Sequence, residues 1–366
     1  MKKYLLCIFL FSYTFSYAQR AIDYVNPFIG TAAHGHTYPG ATVPFGMVQL
    51  SPDKGSQGWD WCSGYNYSDS IIQGFSHTHL SGTGIGDLCD ISVLPVVGKQ
   101  PSTDKILSHF SHGDEKASPG YYSVVLKDFN IKAEFTADTY CGFHRYTFPE
   151  AKDAMIRFDL GFAINWDAAT SCGFKRINDS TFTGYRFSTG WAKDQRVYFA
   201  VRLSKPVKSV AFFEDKARVA RDEVSNKNLM ACMMFDTKPG EVIEMKVALS
   251  NANVAGAVAA LNKESAIGFD AAKKNAETLW ENELEKMTVK STNKDLLQNF
   301  YTALYHSCLA PVTFSDINGN YKGVKGNEVK SAKPVYSIHS LWDIFRAEAP
   351  LFTLFQADRV TDIVNS

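Results

Sequence analysis

The repeat distance of the apolar residues changes part-way along this chain, and that change limits the folds open to it. Between residues 121 and about 249, β-branched and aromatic residues come in short runs (121–126, 131–136, 143–148, 196–203, 242–249) parted by turn-forming residues. Many short strands with no helices between them predict an antiparallel β-sandwich, so the fold class expected is mainly β. Then the period lengthens. Phe269, Ala272, Ala276, Leu279, Leu284 and Met287 fall at helical spacing, as do Leu296, Leu297, Phe300, Tyr301, Leu304 and Cys308. After a Gly-rich turn at 318–323, a third helical pattern runs through Leu351, Leu354, Phe355, Val360, Ile363 and Val364. It reaches Ser366 without the Gly, Pro or basic last turn that closes most helices. Amphipathic helices gain little until they pack, so a helical domain is expected to begin near residue 290 and to be cut off. The bland alternative is a short bundle packed back on the sandwich.

The 38 basic and 38 acidic residues cancel, which removes any electrostatic reason to bind nucleic acid or an acidic membrane surface. The 17 Tyr and 6 Trp suit an uncharged, polyhydroxylated ligand, since rings pack on the apolar faces of sugars, but they equally suit an aromatic β core. Lys2 and Lys3 precede an apolar run over 4–15, and Ser16, Tyr17 and Ala18 supply the small residues a signal peptidase needs. Residues 1–18 therefore read as a secretory signal peptide cut before Gln19, giving a periplasmic or secreted protein. No later stretch reaches the ~18 apolar residues of a membrane helix. Cys62, Cys89, Cys141, Cys172, Cys232 and Cys308 show no C-x-x-C spacing, which argues against a zinc or thioredoxin-like site. Buried free thiols are the expectation, with one disulfide open to an oxidising compartment.

The densest chemistry lies between Gly58 and Tyr67. Trp59, Asp60 and Trp61 followed by Tyr65 offer rings for the apolar face of a sugar and a carboxylate for its hydroxyls, or else a structural tryptophan turn. In the next motif His77 and His79 share one side of an extended segment, and His34 and His36 repeat the spacing. Hydrogen-bonding histidines lining a pocket are favoured there over a transition-metal site, because no third ligand is evident. Gly82, Gly84 and Gly86 lack the Lys and following helix of a phosphate loop and read as a tight backbone crossing. Asp316, Asn318 and Asn320 hint at a calcium loop, but no acidic residue completes it, so a β-turn is expected. Last, Trp342, Asp343 and Arg346 share one face if the segment is helical and would hold a sugar ring by stacking and charge-assisted bonds. A buried salt bridge shielded by Trp342 is the competing reading.

In order along the chain stand Tyr24, Val25, Asn26, Pro27, Phe28, Ile29, Gly30 and Thr31, then Pro39, Gly40 and Ala41, then Pro44, Phe45, Gly46 and Met47. The segments 58–65 and 74–87 follow, then Pro119, Gly120, Tyr121 and Tyr122, then Gly190 and Trp191, residues 300–306 and residues 340–346. Together these resemble the exo-α-mannosidases of glycoside hydrolase family 92 across essentially the whole mature chain. The resemblance implies an N-terminal sandwich (residues 19–255), a helical linker (256–290) and the first helices of an (α/α)6 toroid (291–366). It implies calcium-assisted, inverting removal of mannose from glycans such as N-glycans or mannans, with α-1,2-linked mannose the expected substrate. Inversion needs a general acid and a general base with room for water between them. Family members are about twice as long, and their acid, base and most calcium ligands fall in the later helical domain, so no catalytic residue and no metal ligand is assigned here. The residues expected to bind or shape the pocket are Trp59, Asp60, Trp61, Tyr65, His77, His79, Trp342, Asp343 and Arg346. The alternative function is a stand-alone carbohydrate-binding sandwich without turnover.

Overall fold

A computed structural model describes residues 19–102 and 105–366. The signal peptide expected over 1–18 lies outside the described residues. Seventeen of the strands form two antiparallel sheets. The first contains, edge to edge, Ala41–Thr42, Gln49–Asp53, Gly74–Ser76, Ser92–Val96, Ala151–Asp159, Leu229–Thr237, Ser209–Glu214 and Ala217–Val219. The second contains Glu223–Asn226, Ala168–Arg176, Thr181–Thr189, Gln195–Leu203, Glu241–Ser250, Cys141–Phe148, Ile131–Ala137, Tyr121–Leu126 and Lys116–Ser118. Hairpins build much of the second sheet: residues 121–126, 131–137 and 141–148 pair in succession, with Tyr121 opposite Thr136 and Phe143 opposite Thr136 on the next ladder. In the strand Glu241–Ser250, Ile243, Met245 and Val247 point inward while Val242, Glu244 and Lys246 stay at least partly open, the period-two pattern of a half-covered sheet.

The inner faces meet in one continuous core that includes Phe75, Phe135, Phe158, Phe174, Phe199, Met155 and Val247. Phe75 and Phe135 lie 4.3 Å apart between ring centres across this core. Such aromatic pairs add to the area they bury, about 0.5–1.5 kcal/mol each.

Helices follow the last strand. Helix α1 (Val254–Lys263) starts at Asn253, whose side chain accepts the Gly256 N–H at 2.8 Å, and its small residues Ala257 and Ala260 lie flat on the outer face of the second sheet. Helix α2 (Phe269–Leu284) is tied to that sheet by Arg145, which bonds both Glu244 and Asp270 at 2.9 Å. Helix α3 (Lys294–Ser307) is capped by Asn293, accepting from the N–H groups of Asp295 and Leu296. The apolar stripes of α2 and α3 close over the N-terminal segment in a second core built on Trp280, Tyr305, Phe45, Phe352 and Phe355. Trp280 is fully buried and donates its indole N–H to the Thr42 carbonyl at 2.7 Å, which locks α2 to the first sheet's edge.

The final helical pattern divides into three pieces: α4 (Leu341–Ile344), α5 (Glu348–Phe355) and α6 (Val360–Asn365). Pro350 explains the first break. It lacks an N–H, and its ring would collide with the carbonyl four residues back, so no α-helix runs through 346–350 unbroken. Trp342, Asp343 and Arg346 therefore do not share the face of one helix: α4 is a single turn, and Arg346 falls in the turn beyond it.

Candidate functional site

The strands Ala168–Arg176 and Thr181–Thr189 pair with Ala168 opposite Thr189, so residues 165–167 and 190–194 emerge at the same end of the second sheet. Two loops of the first sheet reach that end. Gly58 adopts φ 131°, open mainly to glycine, and turns the chain into a short 3-10 turn, Trp59–Trp61. Its N–H donates to Asn165 Oδ1 at 2.6 Å. The glycine loop 82–87 is the second arm. A Cβ on Gly84 would fall 2.1 Å from Cη2 of Trp59, and one on Gly86 would fall 2.2 Å from Nδ2 of Asn165. The loop backbone thus lies tight against two side chains at Gly84 and Gly86, whereas Gly82 faces open space. Asp87 then accepts from the N–H groups of Trp191 and Ala192, each at 3.0 Å, and from the Gln195 amide at 3.1 Å. Between these loops opens a cleft of about 320 Å³ lined by Gln57, Gly58, Trp59, Cys62, Asn165 and Trp166. Trp59 and Trp166 are 57% and 55% exposed, so both offer ring faces to solvent at the cleft.

Beside Trp59 sits a second group. His36 meets the Trp59 ring edge-on at 4.9 Å. His34 Nδ1 lies 2.5 Å from Asp60 Oδ1. His36 is almost wholly buried, its Nε2 has no hydrogen-bond partner, and burial lowers its pKa. It also holds φ 54°, a left-handed conformation that costs a non-glycine residue roughly 1–2 kcal/mol.

The other candidates from the sequence separate into two groups. Trp61 spends its indole N–H on Asp69 at 3.0 Å, with the Lys54 ammonium 4.5 Å over its ring. Tyr65 is buried and donates to Glu115 at 2.8 Å, alongside Tyr122, which donates to the same carboxylate at 2.6 Å. His77 and His79 are also buried, on the inward side of their segment. A directed chain runs through the first: Tyr146 donates to His144 Nδ1 (2.7 Å), His144 Nε2 donates to His77 Nε2 (2.9 Å), and His77 Nδ1 donates to the Ile91 carbonyl (2.7 Å). Burial pushes His77 down to about 4 and His144 further below its ordinary value, so both are neutral. His79 bonds the Gln49 carbonyl at 2.7 Å and Asp53 at 2.9 Å. Tyr65, His77 and His79 therefore sit in the core and not on the cleft surface, because buried polar groups must be paired and these are paired within the core. Trp342 is 83% exposed, and Asp343 and Arg346 are exposed as well. Among the described residues no ion pair joins Asp343 to Arg346, and Arg346 lies over the Phe345 ring at 5.3 Å. The buried salt bridge weighed for this segment does not form.

Residues 24–250 match the model of the Glycosyl hydrolase family 92 N-terminal domain, and residues 256–366 match that of the Glycosyl hydrolase family 92 catalytic domain. The chain belongs to glycosyl hydrolase family 92. A solved GH92 α-mannosidase of Bacteroides thetaiotaomicron, in complex with mannoimidazole, is similar at 39% identity and a TM-score of 0.91, over 95% of this chain and 48% of its own. A GH92 inverting mannosidase of the same organism is similar at 27% identity and a TM-score of 0.82, over 94% and 48%. A curated relative, an uncharacterized secreted glycosidase of Arthroderma benhamiae, is 26% identical over 82% of this chain and 43% of its own. The chain thus spans about half the length of these GH92 proteins and of that relative. Among the described residues, no helix is long and apolar enough to cross a membrane.

The calcium that the family resemblance implies needs six to eight oxygen ligands. Among the described residues, two groups of side chains converge within 4.8 Å: His34, His36 and Asp60, and Asp53, His79 and Cys89. Each brings nitrogen or sulfur. In the second, burial raises the Cys89 thiol far above its ordinary pKa, which keeps it protonated. Asp316 is no freer: it accepts from the N–H groups of Asn318 and Asn320 at 2.8 and 2.9 Å, the turn expected of that segment. These residues do not fit calcium.

His34, His36, Asn165 and Trp166 complete the neighbourhood of Trp59 and Asp60. The repeated His-x-His spacing pointed to the first pair. No local motif marks Asn165 or Trp166, which arrive from over a hundred residues away.

Proposed function

We propose that this chain is the front, sugar-facing portion of an exported, inverting exo-α-mannosidase acting on α-1,2-linked mannose of N-glycans or mannans. The observation that carries this is the exposed Trp59 ring, fixed by the Gly84 crossing at the mouth of a cleft in a GH92 chain. An indole face there would stack on the apolar face of a mannose, with Trp166 across the cleft and the Asp60 carboxylate near its rim. Trp342, Asp343 and Arg346 are proposed to contact the terminal sugar from the helical side, where they are free to do so.

The acid and base that inversion requires are proposed to come from the stretch of family members that this chain does not span. Among the described residues, no carboxylic acid lines the cleft. Burial holds Glu264 and Glu348 at about 7 and Asp167 at about 6, and raises Asp159 and Glu281 as well, but none of these lines the cleft: Glu264 sits by Asp138, Asp167 pairs with Arg186, and Glu348 lies on α5. A calcium requirement is proposed with most of its ligands outside this chain. Periplasmic or extracellular export is proposed from the leader-like residues 1–18.

The test is hydrolysis of α-1,2-mannobiose by the folded chain, with calcium and with chelator. The expected result is no turnover but measurable mannose binding that weakens about tenfold in Trp59→Ala, equivalent to ~1.4 kcal/mol. Turnover would place an acid and a base within these residues and overturn the division of labour. Binding unchanged in Trp59→Ala would overturn the cleft.

A further inference from the structure

The mismatch with calcium has a positive side, because the donors at the cleft suit a different ion. His34, His36 and Asp60 place one ligand atom each within 4.8 Å of one another, two imidazole nitrogens and one carboxylate oxygen. Borderline divalent transition metals such as zinc take this donor set, often with a fourth position left for water or substrate. As it stands the group is unfinished. The His34–Asp60 contact satisfies two of its members. His36 has a buried Nε2 with no partner, and an orphaned buried polar atom is costly to keep. The backbone that carries it is itself in the left-handed region at both Ala33 and His36, at φ 49° and 54°. Strain of that kind persists where the surroundings over-determine it.

We infer that His34, His36 and Asp60 form a binding site for a divalent transition-metal ion at the edge of the sugar cleft. Zinc bonds of about 2.0–2.1 Å set tetrahedral ligands roughly 3.3 Å apart, so the His34–Asp60 contact opens slightly as the ion replaces the shared proton. Bound there, the ion staples the loop carrying His34 and His36 to the turn carrying Asp60. Trp59 belongs to that same turn and packs edge-on against His36, so the ion fixes one wall of the cleft.

The experiment uses metal ions alone and no sugar, so its outcome is independent of whether the chain binds or cleaves mannose. The metal-free protein is titrated with Co2+ and then Zn2+ in excess Ca2+, following the cobalt absorption bands and the heat of zinc binding. The expected result is one tetrahedral cobalt site per chain, displaced by zinc and indifferent to calcium. His36→Ala should weaken it by more than ~100-fold, since even outer-shell changes around a metal cost 10–100-fold. Asp60→Asn keeps the side chain's shape and removes its charge. It should weaken the site while leaving the circular dichroism unchanged, which separates loss of a ligand from loss of the fold. Absence of a cobalt spectrum, binding that survives His36→Ala, or displacement by calcium would each overturn the inference.

Discussion

Two single residues carry the consequences of burial furthest. Gly84 is hydrogen where any other residue would drive into the Trp59 ring at 2.1 Å. Gly84→Ala should displace that ring and destabilise the protein by about 1 kcal/mol, the foot of the range for overpacking a core, because the ring is 57% exposed and can give. Urea denaturation with tryptophan fluorescence checks both effects; an unmoved midpoint would show the crossing to be slack. His77 tests the core in another way. Burial holds it near pKa 4 in the folded chain, against about 6.5 unfolded. Above pH 6.5 neither state binds the proton, so the residue is neutral to stability there. As pH falls from 6.5 to 4, the unfolded chain takes up a proton that the folded chain refuses, and folding loses up to ~3 kcal/mol. The buried carboxyls Glu264, Glu348 and Asp167 have raised pKa values and act with the opposite sign over part of this range. The informative quantity is therefore a difference: His77→Gln should lose less stability than wild type between pH 7 and pH 5. Parallel melting curves for the two proteins would show instead that the chain Tyr146–His144–His77 is not what acid disrupts.

At the scale of elements, the fully buried Arg186 joins the two sheets. It lies on Thr181–Thr189 and is ion-paired with Asp90, which precedes the strand Ser92–Val96 of the other sheet, and with Asp167. It also donates to the Leu160 and Phe162 carbonyls at 3.1 and 2.9 Å. Arg186→Ala leaves two carboxylates buried together and should cost about 3–5 kcal/mol, readable as a shift in the denaturation midpoint. A loss under 1 kcal/mol would mean that water replaces the guanidinium. None of this pairing was legible in the sequence, since its members are up to 96 residues apart. The strands over 121–249 were legible because one face of each is covered and alternation survives. Residues 41–96 supply four strands of the first sheet without any such run. Those strands are two to five residues long, buried on both faces so that nothing alternates, and two of them contain Pro52 and Pro95. The site followed the same logic. Trp59 and Asp60 stood out as residues no core element would choose, whereas spacing places His77 and His79 on one side of a strand without saying that the side faces inward.

For the whole molecule, what matters is which surfaces remain apolar. The sandwich closes on itself in one core, but residues 338–364 leave Ile338, Leu341, Trp342, Leu354 and Val364 largely in water. Scattered exposed apolar residues are ordinary; five such side chains within one short stretch of helices make a surface that gains by being covered. The second core shows what that stretch can do where it has a partner, since Phe352 and Phe355 of the same helix α5 are buried against Phe45 and α3. The chain should therefore associate as its concentration rises, with the contact made through α4 to α6. Light scattering on a size-exclusion column checks this, and Leu341→Gln combined with Leu354→Gln should return the protein toward a monomer without changing its helix content. A monodisperse monomer at every concentration would favour the self-sufficient carbohydrate-binding sandwich, because its helices would then need no further partner to be soluble.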